Sequence, residues 1–347
     1  MTQVFKHRLF WPVSALVALI ALNSIARPQF LAITMRDGEL YGALINILRN
    51  SAPLVALGMT IVIATRGIDL SVGAIMAVSG AVALTVIDGS PDPGNLGTVL
   101  VAVVVAVLVA LVLGAWNGFL VAVLGIQPIV ATLVLMLAGR GVALLITGGF
   151  ITTVNSAPLA FIASGYLTLL PFAFFISVAA ITALALVERR TALGVLTEAV
   201  GINPEASRLA GVRSRGIIWG AYMVSGVLAG IAGIIYASNI KAADANAAGW
   251  LIELYAILAV VLGGTSLQGG KFSIGGTVIG VLIIQTLDST ILFLGVPSAK
   301  SPVFFALVVV LVVIVQSPRM RAWFRGASSA GRARTRTEER PTVEVGS

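Results

Sequence analysis

The sequence predicts an all-α integral membrane protein of about ten transmembrane helices, and three observations lead there. Hydrophobic residues make up 58% of the 347-residue chain and charged residues only 10%, whereas soluble domains carry about 25% charged residues. Apolar runs long enough to cross a bilayer, about 17 to 25 residues, recur along most of the chain. The 37 glycines are scattered through these runs, which suits close helix packing and interrupted helices.

The expected spans are 10–26, 43–65, 71–87, 98–123, 128–147, 167–187, 216–238, 251–267, 274–293 and 302–317. Two of them, 251–267 and 302–317, are short for a full crossing and read as slightly tilted or partly re-entrant. The first 26 residues also imitate a secretory signal, with Ser24-Ile25-Ala26 as the cleavage site, but the embedded character of the rest favours an uncleaved helix. Residues 1–317 therefore read as a membrane domain with a loop at 188–215. Residues 318–347 read as a basic, disordered tail that contacts anionic lipid headgroups.

Orientation follows from the basic residues, because short loops rich in Lys and Arg stay cytoplasmic. With the N-terminus inside, Lys6, Arg8, Arg66, Arg189, Arg190, Arg208, Arg213, Arg215, Lys271 and seven tail arginines from Arg319 to Arg340 share the cytoplasmic side. Arg27, Arg36, Lys241 and Lys300 face outward, with Arg49 near that boundary, and both termini are cytoplasmic. The net charge of +8 is thus a topological signal rather than a nucleic-acid footprint. Without cysteine, and with His7 as the single histidine, thiolate, disulfide and histidine-based metal or proton sites are not expected.

Between the second and third spans lies a polar, glycine-flanked octet, Arg66-Gly67-Ile68-Asp69-Leu70-Ser71-Val72-Gly73. Charged residues at such a break are costly unless the backbone lines a cavity or lies at the membrane surface. Asp69 has two readings. It caps the helix that starts at Leu70 or Ser71, with Arg66 near enough to pair, or it takes part with Gly67 and Gly73 in conformational coupling built on that cap.

The loop 188–215 carries a short helix of its own. Asn203 is an N-cap residue, Pro204 fits the first helical position, Glu205 suits the positive end of the helix dipole, and Gly211 supplies a stop. A helix of two turns is marginal alone, so the small apolar face of Ala206, Leu209 and Ala210 must pack on something. That something is either the chain's own membrane domain or a cytoplasmic partner docking on Asn203, Pro204, Glu205, Arg208, Leu209 and Gly211.

The octet and Glu198-Ala199-Val200-Gly201-Ile202-Asn203 together resemble the permease subunits of bacterial ABC importers for monosaccharides, the ribose, xylose and galactose group. Trp116-Asn117-Gly118, the stretch from Gln127 to Leu133, Ser225-Gly226-Val227-Leu228-Ala229-Gly230-Ile231-Ala232-Gly233 and the stretch from Glu253 to Leu267 add to the likeness, in family order. The segments Ala242–Gly249 and Leu137–Gly141 look most like a galactofuranose importer permease. Two positions depart from the pattern: Arg66 stands where the family usually has glycine, which leaves the turn geometry open, and Gly270-Lys271-Phe272 varies the last glycine loop.

The resemblance implies a type II ABC importer-like fold of two inverted four-helix repeats in the bacterial inner membrane. It also implies a cytoplasmic ABC ATPase gripping the loop helix, a second permease chain, identical or sister, and a periplasmic sugar-binding protein. No nucleotide-hydrolysing motif is present in the chain itself. The stretch Gly264–Phe272 misplaces the lysine of a P-loop and lacks its Ser or Thr, so the chain is not expected to be an enzyme or to bind a cofactor. ATP and magnesium are expected in the partner ATPase.

The competing class is an ion-coupled secondary transporter of a small polar solute, whose ionisable candidates are Glu253 and Asp288. Arg140 reads as snorkelling or facing an aqueous cavity. An intramembrane enzyme would need convergent nucleophiles or carboxylates, and none converge in the sequence. For a neutral sugar, Asn46, Asn50, Thr60, Asn117, Thr132 and Gln285 are the available pathway residues, each also able to join helices.

Overall fold

The computed structural model describes residues 9–36, 39–50 and 52–293, with isolated positions at 295, 303, 306, 307 and 310. An apolar chain removed from water must satisfy its own backbone N–H and C=O groups, and helices do so within one segment. In chain order the structure runs α1 (Phe10–Ala26), a 3-10 turn (Pro28–Leu31), β1 (Thr34–Arg36), β2 (Glu39–Tyr41), α2 (Ala43–Arg49), α3 (Ala52–Ala64) and α4 (Val72–Asp88). It continues with α5 (Leu96–Ala122), α6 (Pro128–Ile146), β3 (Thr152–Thr153), α7 (Ala157–Ser164), β4 (Tyr166–Leu167), β5 (Leu170–Pro171), α8 (Phe172–Arg190) and α9 (Leu193–Ile202). The last elements are α10 (Pro204–Leu209), α11 (Ser214–Ile240), β6 (Ala242–Ala243), α12 (Ile252–Leu262) and α13 (Ile274–Phe293). The chain divides into a unit Met1–Thr290, which holds the packing and sites below, and a unit Ile291–Ser347.

Helices occupy the predicted segments from 10–26 through 274–293, while 302–317 and the tail lie largely outside the described residues. Among the described residues, α5, α6, α8, α11 and α13 are long and apolar enough to cross a membrane. The pair α2 and α3, bent by 52°, makes a sixth if it is one span. The segment 251–267 shortens to the eleven residues of α12, about 16 Å at 1.5 Å per residue and roughly half a hydrocarbon core. Its limits are set by backbone: Gly249 and Leu251 have positive φ before it, and Gly264 has positive φ after it.

The centre of the unit is α4, whose residues from Val72 to Ile87 are nearly all buried. It is enclosed by α5, α6 and α11, and α3 packs beside α11 and α12. Lipid-soluble helices gain no hydrophobic advantage from leaving lipid for each other, so small residues that let backbones approach become the adhesive. On α5 these are Ala102, Ala106, Ala110, Gly114 and Gly118, one per turn and all buried. A Cβ at Gly114 would lie 2.5 Å from the Tyr222 carbonyl oxygen, and one at Gly226 would lie 2.6 Å from the Ala110 carbonyl oxygen. The opposite face of α5 exposes Leu100, Val101, Val104, Leu108 and Val112.

Three two-stranded antiparallel ladders lie in the connections. Thr34 pairs with Tyr41, Tyr166 with Pro171, and Thr152 with Ala243. The last ladder joins the connection after α6 to the one after α11, and Val154 N–H extends it to the Lys241 carbonyl. Caps follow the sequence: Asn95 Oδ1 accepts from Gly97 N–H at the start of α5, and Ser156 accepts from Leu159 N–H at the start of α7.

Candidate functional site

The octet begins where α3 stops. Arg66 N–H donates to the Ile63 carbonyl and Gly67 N–H to the Val62 carbonyl, a paired closure in which the first residue past the helix must turn left-handed. That residue is Arg66, with φ of 66°, so arginine itself adopts the conformation that glycine would take more cheaply. Gly67 is required for a different reason, since a Cβ there would lie 2.5 Å from Tyr222 Oη. We expect Arg66→Gly to be nearly neutral. Relief of about 1–2 kcal/mol of left-handed strain offsets a lost hydrogen bond of about 1 kcal/mol, and a thermal melt of the purified chain checks it.

The predicted pairing of Arg66 with Asp69 is corrected by the structure. Among the described residues the ion pair found is Arg208 with Glu205, and Arg66 is exposed, its Nε donating to the Gln268 carbonyl at 3.1 Å. Asp69 is fully buried. Its Oδ1 accepts from Ser71 N–H at 3.0 Å and Ser71 Oγ at 2.6 Å, and its Oδ2 accepts from Ser225 Oγ of α11 at 2.9 Å. The expected side-chain cap is not formed: α4 starts at Val72 after Ser71, which lacks a side-chain cap, and Asp69 instead makes an Asx turn just before the helix, its second oxygen tying that turn to α11. Asn117 of α5 donates to Ser71 Oγ at 2.7 Å, and Thr132 of α6 accepts from Leu70 N–H at 3.1 Å. One buried polar node thus joins the octet to α5, α6 and α11. Asn117 Oδ1 and Tyr222 Oη are buried there without hydrogen-bond partners.

The other end of the same turn meets two elements distant in sequence. Gly270 N–H donates to the Ala64 carbonyl at 3.0 Å. Gly201, at the end of α9, is packed so tightly that a methyl group would overlap both the Ala64 carbonyl oxygen and Gly270 N. The glycine turn after α3, the glycine turn after α12 and the α9–α10 loop therefore share one contact.

The loop at 188–215 holds two helices where one was expected, α9 having been read only as part of a motif. Within α10, Asn203 Oδ1 accepts from Glu205 N–H and Ala206 N–H at 3.1 and 3.0 Å. Ser207 Oγ returns a bond to the Asn203 carbonyl, and Ser214 Oγ donates to the Pro204 carbonyl. Gly211 has φ of 87°, a conformation that glycine adopts without penalty. The hydrogen bond from Arg208 holds the Glu205 carboxyl below its ordinary range. Ala206, Leu209 and Ala210 do not fold back on the chain's own helices: all three are exposed, Leu209 by 78%, and Ile202 and Val195 are exposed beside them.

The six polar pathway residues divide into two groups. Thr60, Asn117 and Thr132 are fully buried and bond to neighbouring helices or turns, Thr60 to Thr277 of α13 at 2.7 Å. Asn46 and Asn50 line a cavity of about 270 Å³ together with Arg49, Ile235, Tyr236 and Asn239. Asn50 Nδ2 donates to Gln285 Oε1 at 2.6 Å, which brings Gln285 next to this group. Arg49, Tyr236 and Asn239 were not singled out by sequence, nor were Ser71 and Ser225 as partners of Asp69.

Arg140 of α6 is engaged by main chain of the segment before α12. Its guanidinium donates to the carbonyls of Ala245, Asn246, Ala248 and Gly249 and lies 5.7 Å from the Trp250 ring centre. Glu253 is buried in the first turn of α12 with Oε2 unpartnered, and Asp288 is exposed on α13. Among the described residues no cluster of acidic or histidine side chains could hold a metal ion.

A family model described as the permease component of a branched-chain amino acid transport system matches residues 43–314. The galactofuranose transporter permease protein YtfT of Escherichia coli K12 is 47% identical over 94% of this chain and 96% of its own length. The fructose import permease protein FruF of Bifidobacterium longum is 40% identical over 92% and 90%, and the ribose import permease protein RbsC of Escherichia coli K12 is 37% identical over 88% and 92%. No solved structure matches the chain with significance. A broken apolar helix pair, a buried polar node and an exposed loop helix thus sit on a chain that belongs to this family of transport-system permeases.

Proposed function

We propose that this chain is a membrane-spanning permease subunit of an ATP-driven importer that moves a monosaccharide inward by alternating access. The observation that carries the reading is the shared contact at Gly201. It links an exposed apolar loop surface directly to both glycine turns, so that a partner pressing on α9 and α10 acts on both halves of the membrane unit. A cytoplasmic ABC ATPase, which would bind ATP and magnesium, is the partner whose chemistry fits. Asn203, Pro204, Glu205, Arg208, Leu209 and Gly211 form its docking element. The family model is named for amino acids, but the relatives cited are named for sugars, and the amide-rich cavity supports a neutral polyhydroxylated solute.

Ten spans, both termini cytoplasmic in the inner membrane, a second permease chain and a periplasmic sugar-binding protein complete the proposal. Two inverted four-helix repeats belong to the proposal on the strength of the family resemblance alone, and a separate likeness joins two turns on one and the same face. Arg66-Gly67-Ile68-Asp69-Leu70-Ser71-Val72-Gly73 aligns with Gln268-Gly269-Gly270-Lys271-Phe272-Ser273-Ile274-Gly275, each between two helices, and the first residues of the two stretches touch. The match covers glycine, serine and glycine at the same places and replaces Asp69 by an exposed Lys271. Galactofuranose is the sugar favoured by the relative at 47% identity. Ion coupling gains nothing from Glu253 and Asp288, which differ in burial and form no shared hydrogen bond.

Purification in a mild detergent from the native host tests the assignment. We expect an ATPase with a P-loop to co-purify, and Leu209→Asp to weaken its recruitment by at least about 30-fold, the loss of one interface hot spot of about 2 kcal/mol, with membrane insertion unchanged. Recovery of the chain alone, without ATP hydrolysis in several gentle detergents, would overturn it.

A further inference from the structure

The cavity at the junction of α2 and α3 has a composition that packing alone does not explain. Three carboxamides, Asn46, Asn50 and Asn239, one guanidinium, Arg49, and the ring of Tyr236 line about 270 Å³. That is close to the lower limit of small-molecule pockets, about 300 Å³. Asn46 and Asn239 are exposed at its mouth.

Arg49 is held in place without a carboxylate. Its Nη2 donates to Tyr166 Oη at 2.7 Å, its guanidinium lies 5.6 Å from the Tyr166 ring centre, and Tyr166 Oη donates onward to the Leu40 carbonyl at 3.1 Å. Arg49 Nε is buried without a hydrogen-bond partner, an arrangement that native structures rarely leave uncompensated. On the far side, Gln285 fixes the Asn50 amide.

The chemistry selects the occupant. A carboxamide presents a donor and an acceptor side by side, which matches the alternating demands of neighbouring hydroxyls. One Nη2 N–H of Arg49 is engaged by Tyr166, and its remaining N–H donors can serve a hydroxyl. Among the described residues no acidic side chain lines the cavity. Position agrees with entry from outside. Asn239 lies near the end of α11 opposite Ser214, about 37 Å away at 1.5 Å per residue, and Ser214 bonds to the docking helix.

We propose that this cavity is the receiving site of the permease for a neutral monosaccharide at the outer mouth, with Asn46, Asn50, Asn239 and Arg49 as its hydroxyl-binding groups. The proposal rests on the sugar-import reading. Because Asn46 and Asn239 are exposed, their substitution should leave the thermal melt of the chain unchanged.

The test uses the complete transporter in proteoliposomes and labelled D-galactose, D-fructose and D-ribose. We expect Asn239→Ala and Asn46→Ala each to raise the apparent KM for the transported sugar at least about fivefold while ATPase recruitment is unchanged. The chain contains no cysteine, so Asn239→Cys gives a second reading: a membrane-impermeant maleimide added outside should label it, and millimolar sugar should slow labelling severalfold. Wild-type kinetics in both alanine variants, or labelling indifferent to sugar, would overturn the site while leaving sugar import standing. Wild-type transporter that moves none of the three sugars, or that prefers D-galacturonate, would overturn the sugar-import reading and the site with it.

Discussion

Asp69→Ala is expected to lower the stability of the chain by about 2–5 kcal/mol and to reduce ATP-driven uptake at least about tenfold. The side chain is fully buried and accepts from Ser71 N–H, Ser71 Oγ and Ser225 Oγ. Removing it strands three donors, each costing roughly 1–3 kcal/mol when buried and unpaired. The hydroxyls can rotate toward other acceptors, but the Ser71 amide cannot, which sets the lower bound. Asp69→Asn separates the two readings of this residue. Asparagine keeps Oδ1 for the Asx turn, and its amide N–H can donate to Ser225 Oγ if that hydroxyl turns round. With no basic group paired to Asp69, we expect the Asn variant to melt within about 1 kcal/mol of wild type and to transport normally. Normal melting with lost transport would instead show that the charge takes part in the cycle. Thermal melts and proteoliposome uptake, run on both variants, give the answer.

Gly201→Ala is expected to have the largest functional effect of any single-methyl change in the chain. The added carbon would overlap the Ala64 carbonyl oxygen and Gly270 N, both backbone atoms, so no side chain can rotate out of the way. Overpacking of this kind costs about 1–3 kcal/mol. Here the strain is relieved most easily by lifting α9 off the two turns, because its other face is exposed. The loop would then still recruit the ATPase but no longer transmit its movement. ATP hydrolysis should persist while uptake per ATP falls at least about tenfold. Equal losses of recruitment and uptake would mean that the loop has simply unfolded, and unchanged uptake would remove Gly201 from the coupling path.

Most helices could be read from the sequence because a membrane helix announces itself by length and apolarity alone. Pro128 and Asn203 also mark starts that the structure keeps. What sequence could not give was the fate of backbone between apolar runs. The stretch 251–267 is apolar apart from Glu253 until Gly263, yet α12 covers only part of it, since the entry conformation is set by Leu251 and Gly249 and not by hydropathy. Helix α9 escaped notice because half of its residues could equally belong to a membrane segment or a loop.

The candidate site was half legible. Asp69 stood out as a buried charge at a break, but its partners Ser71 and Ser225 are small hydroxyl residues of ordinary type whose importance comes only from convergence of distant segments. Arg66 illustrates the opposite case: nearness in sequence suggested an ion pair, and the turn geometry directed the guanidinium to Gln268. Asn46 and Asn50 were marked as polar in an apolar run. Arg49 and Asn239 needed the fold, because only the approach of α11 to the α2–α3 junction makes them neighbours.

The seam between α5 and α11 also decides which movements the chain can make. Helices that slide past one another do so by small rotamer adjustments in an interlocking layer of side chains. At Gly114 and Gly226 that layer is missing, and main chain rests on main chain, where a shift of even one ångström meets carbonyl oxygens. The two longest helices therefore travel together as a single strut. Any switch between outward and inward opening has to be carried by this strut swinging whole, against a neighbouring chain or against the lighter helices around it.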